Sequence, residues 1–182
     1  FGSSGWKVIE GSKSLDNFLR SCSNSPRSLL PCYYETLSRL ILASSTSSAN
    51  RGLDMFMHLS PNQEAPSAMT KLMKHARDPV DSIRLSVWSL FSSVADQSWG
   101  LTLVADTPGW VDLLCSLDDV NVDVREKRVE TANRVVQQPH AKELFGDSRF
   151  SRLYATARKS PHTLDPRPPR PDPMVDIAMD HR

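Results

Sequence analysis

Glycine is scarce, with seven in 182 residues, and none of them forms GxxxxGK[ST] or GxGxxG. No loop is therefore expected to cradle a phosphate. Histidine is scarcer: His58, His75, His140, His162 and His181 stand alone, none spaced from a second His or Cys as zinc ligands are. Cys22, Cys32 and Cys115 are an odd, scattered set without CxxC spacing, which reads as buried, inert thiols in a reducing compartment. Neither sign of charge is in excess: 22 Lys and Arg face 21 Asp and Glu, for a formal net charge of +1. That argues against a surface built around nucleic-acid phosphates. No apolar run reaches the ~18 residues of a membrane-spanning helix, and no signal-peptide pattern is present. Serine is abundant, yet there is no GxSxG elbow and no evident nucleophile–base pair. Asp118, Asp119 and Asp123 lack the central glycine and terminal glutamate of a calcium loop, and read as a turn with acid at a helix start. The expectation is a protein without catalysis, cofactor or metal.

What is present is an internal repeat. A small residue followed three and four places later by two apolar ones occurs four times: Gly5, Val8, Ile9; Gly52, Met55, Phe56; Gly100, Leu103, Val104; Ala141, Leu144, Phe145. The small residues are spaced 47, 48 and 41 apart. A second triplet at i, i+3, i+4 follows each: Leu15, Phe18, Leu19; Met69, Leu72, Met73; Trp110, Leu113, Leu114; Phe150, Leu153, Tyr154. That spacing sets three side chains on one helix face. Three longer amphipathic helices are predicted over 29–43, 80–95 and 122–137, with stripes of Tyr33, Leu37, Leu40, Ile41; Ile83, Val87, Leu90, Phe91, Val94; and Val129, Ala132, Val135, Val136.

Prolines 79 and 139 mark helix starts, and Thr107-Pro108-Gly109 and Gly146-Asp147-Ser148 separate first helices from second ones. Trp99, opening a short helix beside Gly100, is expected at a seam between units. Nothing alternates with period two, so no strand is predicted.

Three helices per unit of about 40–47 residues is the armadillo/HEAT class. The fold expected is an all-α solenoid of three to four stacked repeats over 1–159, each burying its apolar face on its neighbours. The chain opens on Phe1 rather than methionine, and the first repeat reads as truncated at its N-terminus. Residues 160–182 carry six of the thirteen prolines with balanced charge, and predict a disordered tail with polyproline character. Its Pro166-Arg167-Pro168-Pro169-Arg170-Pro171 run fits an SH3-type groove in principle.

In a solenoid the third helices line one surface, where partners bind. Ser82, Ser86, Ser89 and Ser93 recur along the second of them, opposite Val87, Leu90 and Val94. The stripe admits two readings, close approach of a neighbouring helix or a shallow polar channel for a partner. On the third, Asp123, Lys127, Glu130 and Arg134 point outward, and Glu130–Arg134 is a favourable i, i+4 pair. These four are either a solvated face or a mixed-charge rim that selects a partner.

Val94-Ala95-Asp96-Gln97-Ser98-Trp99 followed by Pro108-Gly109-Trp110-Val111, and Ala141-Lys142-Glu143-Leu144-Phe145-Gly146-Asp147 followed by Phe150-Ser151-Arg152-Leu153, carry a resemblance. In order and spacing they resemble the family of the 26S proteasome non-ATPase regulatory subunit 5, over roughly 80–154 and more loosely over 2–43. The resemblance implies an α-solenoid without enzymatic activity. It implies an assembly chaperone for the base of the proteasome regulatory particle, whose partner is the C-terminal domain of one proteasomal ATPase subunit. It implies a cytoplasmic, and also nuclear, monomer. The residues that carry it are packing residues, so it transfers no interface. The tail departs from the family's pattern. The alternative reading is a generic armadillo/HEAT scaffold, for which a ladder of Asn or Trp along the third helices would speak; only Trp88 and Asn133 come near.

Overall fold

The computed structural model describes residues 8–10, 12–22, 24–44 and 49–162. Among them every regular element is helical and no strand occurs. The main helices are α1 (Lys13–Cys22), α2 (Leu30–Ser44), α3 (Ala49–Met57), α4 (Ala65–His75), α5 (Asp81–Ala95), α6 (Ser98–Asp106), α7 (Trp110–Cys115), α8 (Val122–Gln137) and α9 (Ala141–Ala157). Helix α9 breaks at Gly146, whose φ of 70° and ψ of 162° suit glycine almost alone. That break is the one the Gly146-Asp147-Ser148 signal predicts.

The contacts have translational order. Helix α2 packs along α5, and α5 along α8; α3 touches α6, and α6 touches α9. Helices α2, α3, α5 and α6 thus each meet the helix three places later in the chain. The triplets supply the apolar faces. Met55, Phe56, Met69, Leu72, Val104, Trp110, Leu114, Phe145 and Leu153 are buried in one continuous core.

The small residues of the repeat have a steric cause. A Cβ on Gly100 would lie 1.9 Å from the Val94 carbonyl oxygen, so the α5–α6 corner admits only glycine. A Cβ on Gly52 would lie 3.3 Å from Ser44 Oγ and 3.4 Å from the Trp99 ring. Trp99 does sit at a seam, its ring 5.6 Å from Phe56 of α3.

Several expectations are corrected. In the first unit Gly5 lies outside the described residues, and Val8 is 80% exposed. The core stripe of α2 is Leu30, Tyr34, Leu37 and Ile41, one place off at its start, because a 3-10 turn over Arg27–Leu29 precedes the helix. Tyr33 instead stacks on Phe18, with centroids 5.1 Å apart. Helix α8 buries Val124, Arg128, Thr131, Ala132 and Val135, leaving Val129 and Val136 half-buried. Of the cysteines only Cys22 is buried, its thiol pushed up to about 12 by desolvation against a weaker opposing effect of Lys71; Cys32 is exposed. Of the Pro-rich tail, 163–182 lie outside the described residues. Its start is held, because Arg125 Nε donates to the Pro161 carbonyl at 2.5 Å.

Candidate binding groove

The α2–α5–α8 row leaves a cleft of about 230 Å³. Helix α2 contributes Glu35, Ser38, Arg39 and Leu42, α5 contributes Ser89, Ser92 and Ser93, and α8 contributes Lys127, Glu130 and Arg134. Serines make its floor because two helix backbones approach closely there. Ser38 Oγ lies 2.6 Å from Ser93 Oγ and donates to the Ser89 carbonyl at 3.2 Å.

Most of the serine stripe thus lies where two helices approach closely. Ser86 and Ser93 are buried, Ser89 is half-buried, and only Ser82 is exposed. Ser86 Oγ donates back to the Ile83 carbonyl at 2.8 Å. The physical reason is that α5 has neighbours on two sides, so ten of its fifteen residues are buried and few positions point outward. Ser82 and Ser86 therefore do not line the groove, while Ser89 and Ser93 do.

The α8 rim is wired as its spacing predicts. Lys127 Nζ meets Glu130 Oε2 at 2.5 Å, and Arg134 Nη2 meets Glu130 Oε1 at 3.0 Å. Arg134 also pairs with Asp96 at the end of α5, which ties α8 to its neighbour. Burial works to raise the Glu130 pKa, and the two cations overcome it, leaving the carboxyl below its usual range. Asp123 is not part of the rim. It is exposed in the first turn of α8, where Asn121 Oδ1 caps its N–H at 2.9 Å.

Three features escaped the sequence. Glu35 and Arg39 on α2 are exposed and make no ion pair with a described residue, although an i, i+4 pair on the first third helix is legible in principle. Ser92 is 3% exposed, and among the described residues its hydroxyl has no hydrogen-bond partner.

The third feature is an ion ladder away from the groove. Asp78 and Arg84, and Asp119 and Arg125, recur with the same spacing at the starts of α5 and α8. In each turn the arginine donates to the backbone carbonyl of its own aspartate, Arg84 Nη1 at 2.6 Å and Arg125 Nη1 closer still. Arg84 then reaches across units in a bidentate pair with Asp119, at 2.8 and 3.0 Å. Beneath them Arg128, 4% exposed, donates to the Ser116 carbonyl and lies 5.1 Å over the Trp88 ring. Asp118 and Asp119 thus answer arginines as well as forming a turn. The recurring Asp-x5-Arg is the signal that finds this ladder.

Among the described residues no group of three or more His, Cys, Asp or Glu is placed to hold a metal ion, and no helix is long and apolar enough to cross a membrane. Residues 11–169 match the family model described as "Proteasome non-ATPase 26S subunit". No curated protein and no solved structure matches the chain.

Proposed function

The chain belongs to the proteasome non-ATPase 26S subunit family, and we propose that within it the chain is a non-catalytic assembly chaperone for the base of the regulatory particle. Its helices form an armadillo/HEAT-type solenoid, a reading supported by the contacts of α2, α3, α5 and α6 with the helix three places on. Its partner is the C-terminal domain of one proteasomal ATPase subunit. The chain works as a monomer in the cytoplasm and nucleus, covering a surface that another subunit must later face.

The observation that carries the binding reading is the groove. Along it lie a cation and an anion, Arg39 and Glu35, that answer no described charge. A merely solvated face needs no such wall. Charges on the rim would set partner choice and approach rate, and the close-packed serines beneath would keep the surface rigid.

A pull-down of the full-length protein against the C-terminal domain of each proteasomal ATPase subunit tests the proposal. One domain is retained, and Arg39→Glu weakens its capture roughly tenfold at low salt, less at high salt. Capture of none of them ends the reading.

A further inference from the structure

A second cavity, of about 930 Å³, lies at the end of α4 and shares no residue with the groove. Arg27, Lys71, Lys74, His75 and Arg77 line it, with Asp78 as its one carboxylate. In a chain whose charges otherwise balance, this is a local excess of cations.

The groups differ in how far they are committed. Lys71 is a tether, its Nζ donating to the Leu59 carbonyl at 3.1 Å. Asp78 is already answered by Arg27 at 2.7 Å and by the Val80 N–H at 2.9 Å. Burial foremost, with Lys71 next, holds the His75 pKa below its ordinary value, so the ring is neutral near pH 7. Tyr34, whose phenol burial keeps protonated, then donates to His75 Nδ1 at 2.6 Å. Lys74 and Arg77 are exposed at the mouth. Arg77 Nη1 reaches only the Met73 carbonyl, at 3.3 Å, and Lys74 pairs with no described carboxylate. Arg27, although paired, keeps 60% of its side chain exposed.

Cations are favoured in the last turn of any helix, which accounts for Lys74. It does not account for Arg27, which precedes a different helix and converges on the same cavity. A compact phosphate is poorly served here, because the helix end presented is the carbonyl pole and not the N–H pole that holds phosphates. An extended segment is better served. Its carboxylates can reach Lys74, Arg77 and Arg27 separately, and an apolar side chain can rest on Leu30 and Met73, which also line the cavity.

We propose that this cavity docks an acidic peptide segment of a partner protein, one that carries an apolar side chain among its carboxylates. The site is separate from the groove and stands or falls without it.

The test is fluorescence anisotropy of a fluorescein-labelled Glu- and Asp-rich peptide carrying one leucine, titrated with the full chain. The peptide binds, and binding weakens as salt rises. Lys74→Glu with Arg77→Glu lowers affinity at least about tenfold, while the groove variant Arg39→Glu binds as the parent does. Because Lys74 and Arg77 are exposed, thermal melting of the double variant matches the parent; if it does not, the neutral pair Lys74→Gln and Arg77→Gln takes its place and must weaken binding in the same direction. No binding by the parent, or equal binding by the charge variants, overturns the proposal. Inorganic phosphate displacing the peptide at concentrations where chloride does not would also overturn it, in favour of a small-anion site.

Discussion

Helices α5 and α8 pack along one another, yet they build their cores differently. The inward stripe of α5 is Ile83, Val87, Leu90, Phe91 and Val94, all apolar. Its counterpart on α8 is Val124, Arg128, Thr131, Ala132 and Val135. Where α5 places Val87, α8 places a guanidinium, and where α5 places Leu90, α8 places a hydroxyl. The substitution is tolerable because partners converge on it. Trp88 of α5 offers its ring face to Arg128, Thr131 Oγ1 donates to the Lys127 carbonyl at 2.7 Å, and Asp119 is shared with Arg84. One seam of this protein is held by apolar packing and the next by packing plus a buried ionic network. The difference predicts distinct responses to mutation and to acid.

The largest effect should come from the residue that joins the α5 core to the α8 network. Trp88 is fully buried, and Trp88→Ala leaves a cavity in the α5 core and takes the ring from under Arg128. A loss of about 3–5 kcal/mol is expected, read from denaturant unfolding. A loss below that of an ordinary buried methylene would mean the two seams are not coupled through it.

Next comes Arg128→Ala, which leaves Asp118 without its arginine and Asp119 with Arg84 alone. About 3 kcal/mol should be lost, as when one member of a buried pair is removed. Arg128→Met should recover much of it, since methionine refills the space over Trp88 and the remaining carboxylates stay near Arg84 and solvent. Equal losses for Ala and Met would show that charge, not packing, sets the α8 seam.

Acid sharpens the same comparison. Asp118 is held below its ordinary carboxylate value, first by its hydrogen bond with Ser116, with Arg128 assisting against burial. Asp78 is also held low: burial opposes this, and the Val80 N–H and Arg27 overcome it. Groups with depressed folded-state pKa values stabilise fully above the unfolded value and lose that contribution as pH falls through the folded one. Stability should therefore begin to fall below about pH 6.5, where the unfolded chain protonates His75 and the buried ring resists it, and fall further below about pH 4 as the carboxylates protonate. Asp118→Asn should flatten part of that fall, measured as melting temperature against pH.

These contrasts also mark how far the sequence was legible. Helix positions were readable because apolar triplets and small residues recur in phase, and Gly100 shows why the small residue is obligatory. The face of each long helix was harder. Arg128 carries a charge, so a periodicity read from apolar residues passes over it, although its long apolar stem and its carboxylate partners let it occupy a core position. The serines of α5 look solvent-facing by type and are buried by geometry, because a helix flanked on both sides needs small residues where backbones approach. Of the candidate interface residues, Ser89, Ser93, Lys127, Glu130 and Arg134 meet in one groove. Glu35, Arg39 and Ser92 join them through tertiary placement that a single chain position does not announce.

The smallest effect on stability, and the most informative for the groove, separates two neighbouring serines. Ser93 is bonded to Ser38 across the α2–α5 seam, so Ser93→Ala should cost about 1 kcal/mol by removing that bond, while Ser38 keeps its bond to the Ser89 carbonyl. Ser92 has no partner to lose, and Ser92→Ala should leave stability within about 0.5 kcal/mol of the parent or raise it. The same substitution should also leave capture of the retained ATPase domain as in the parent, because the hydroxyl oxygen is sealed from the groove. A variant that melts and binds like the parent would reduce Ser92 to a packing residue and leave the groove to its rim charges.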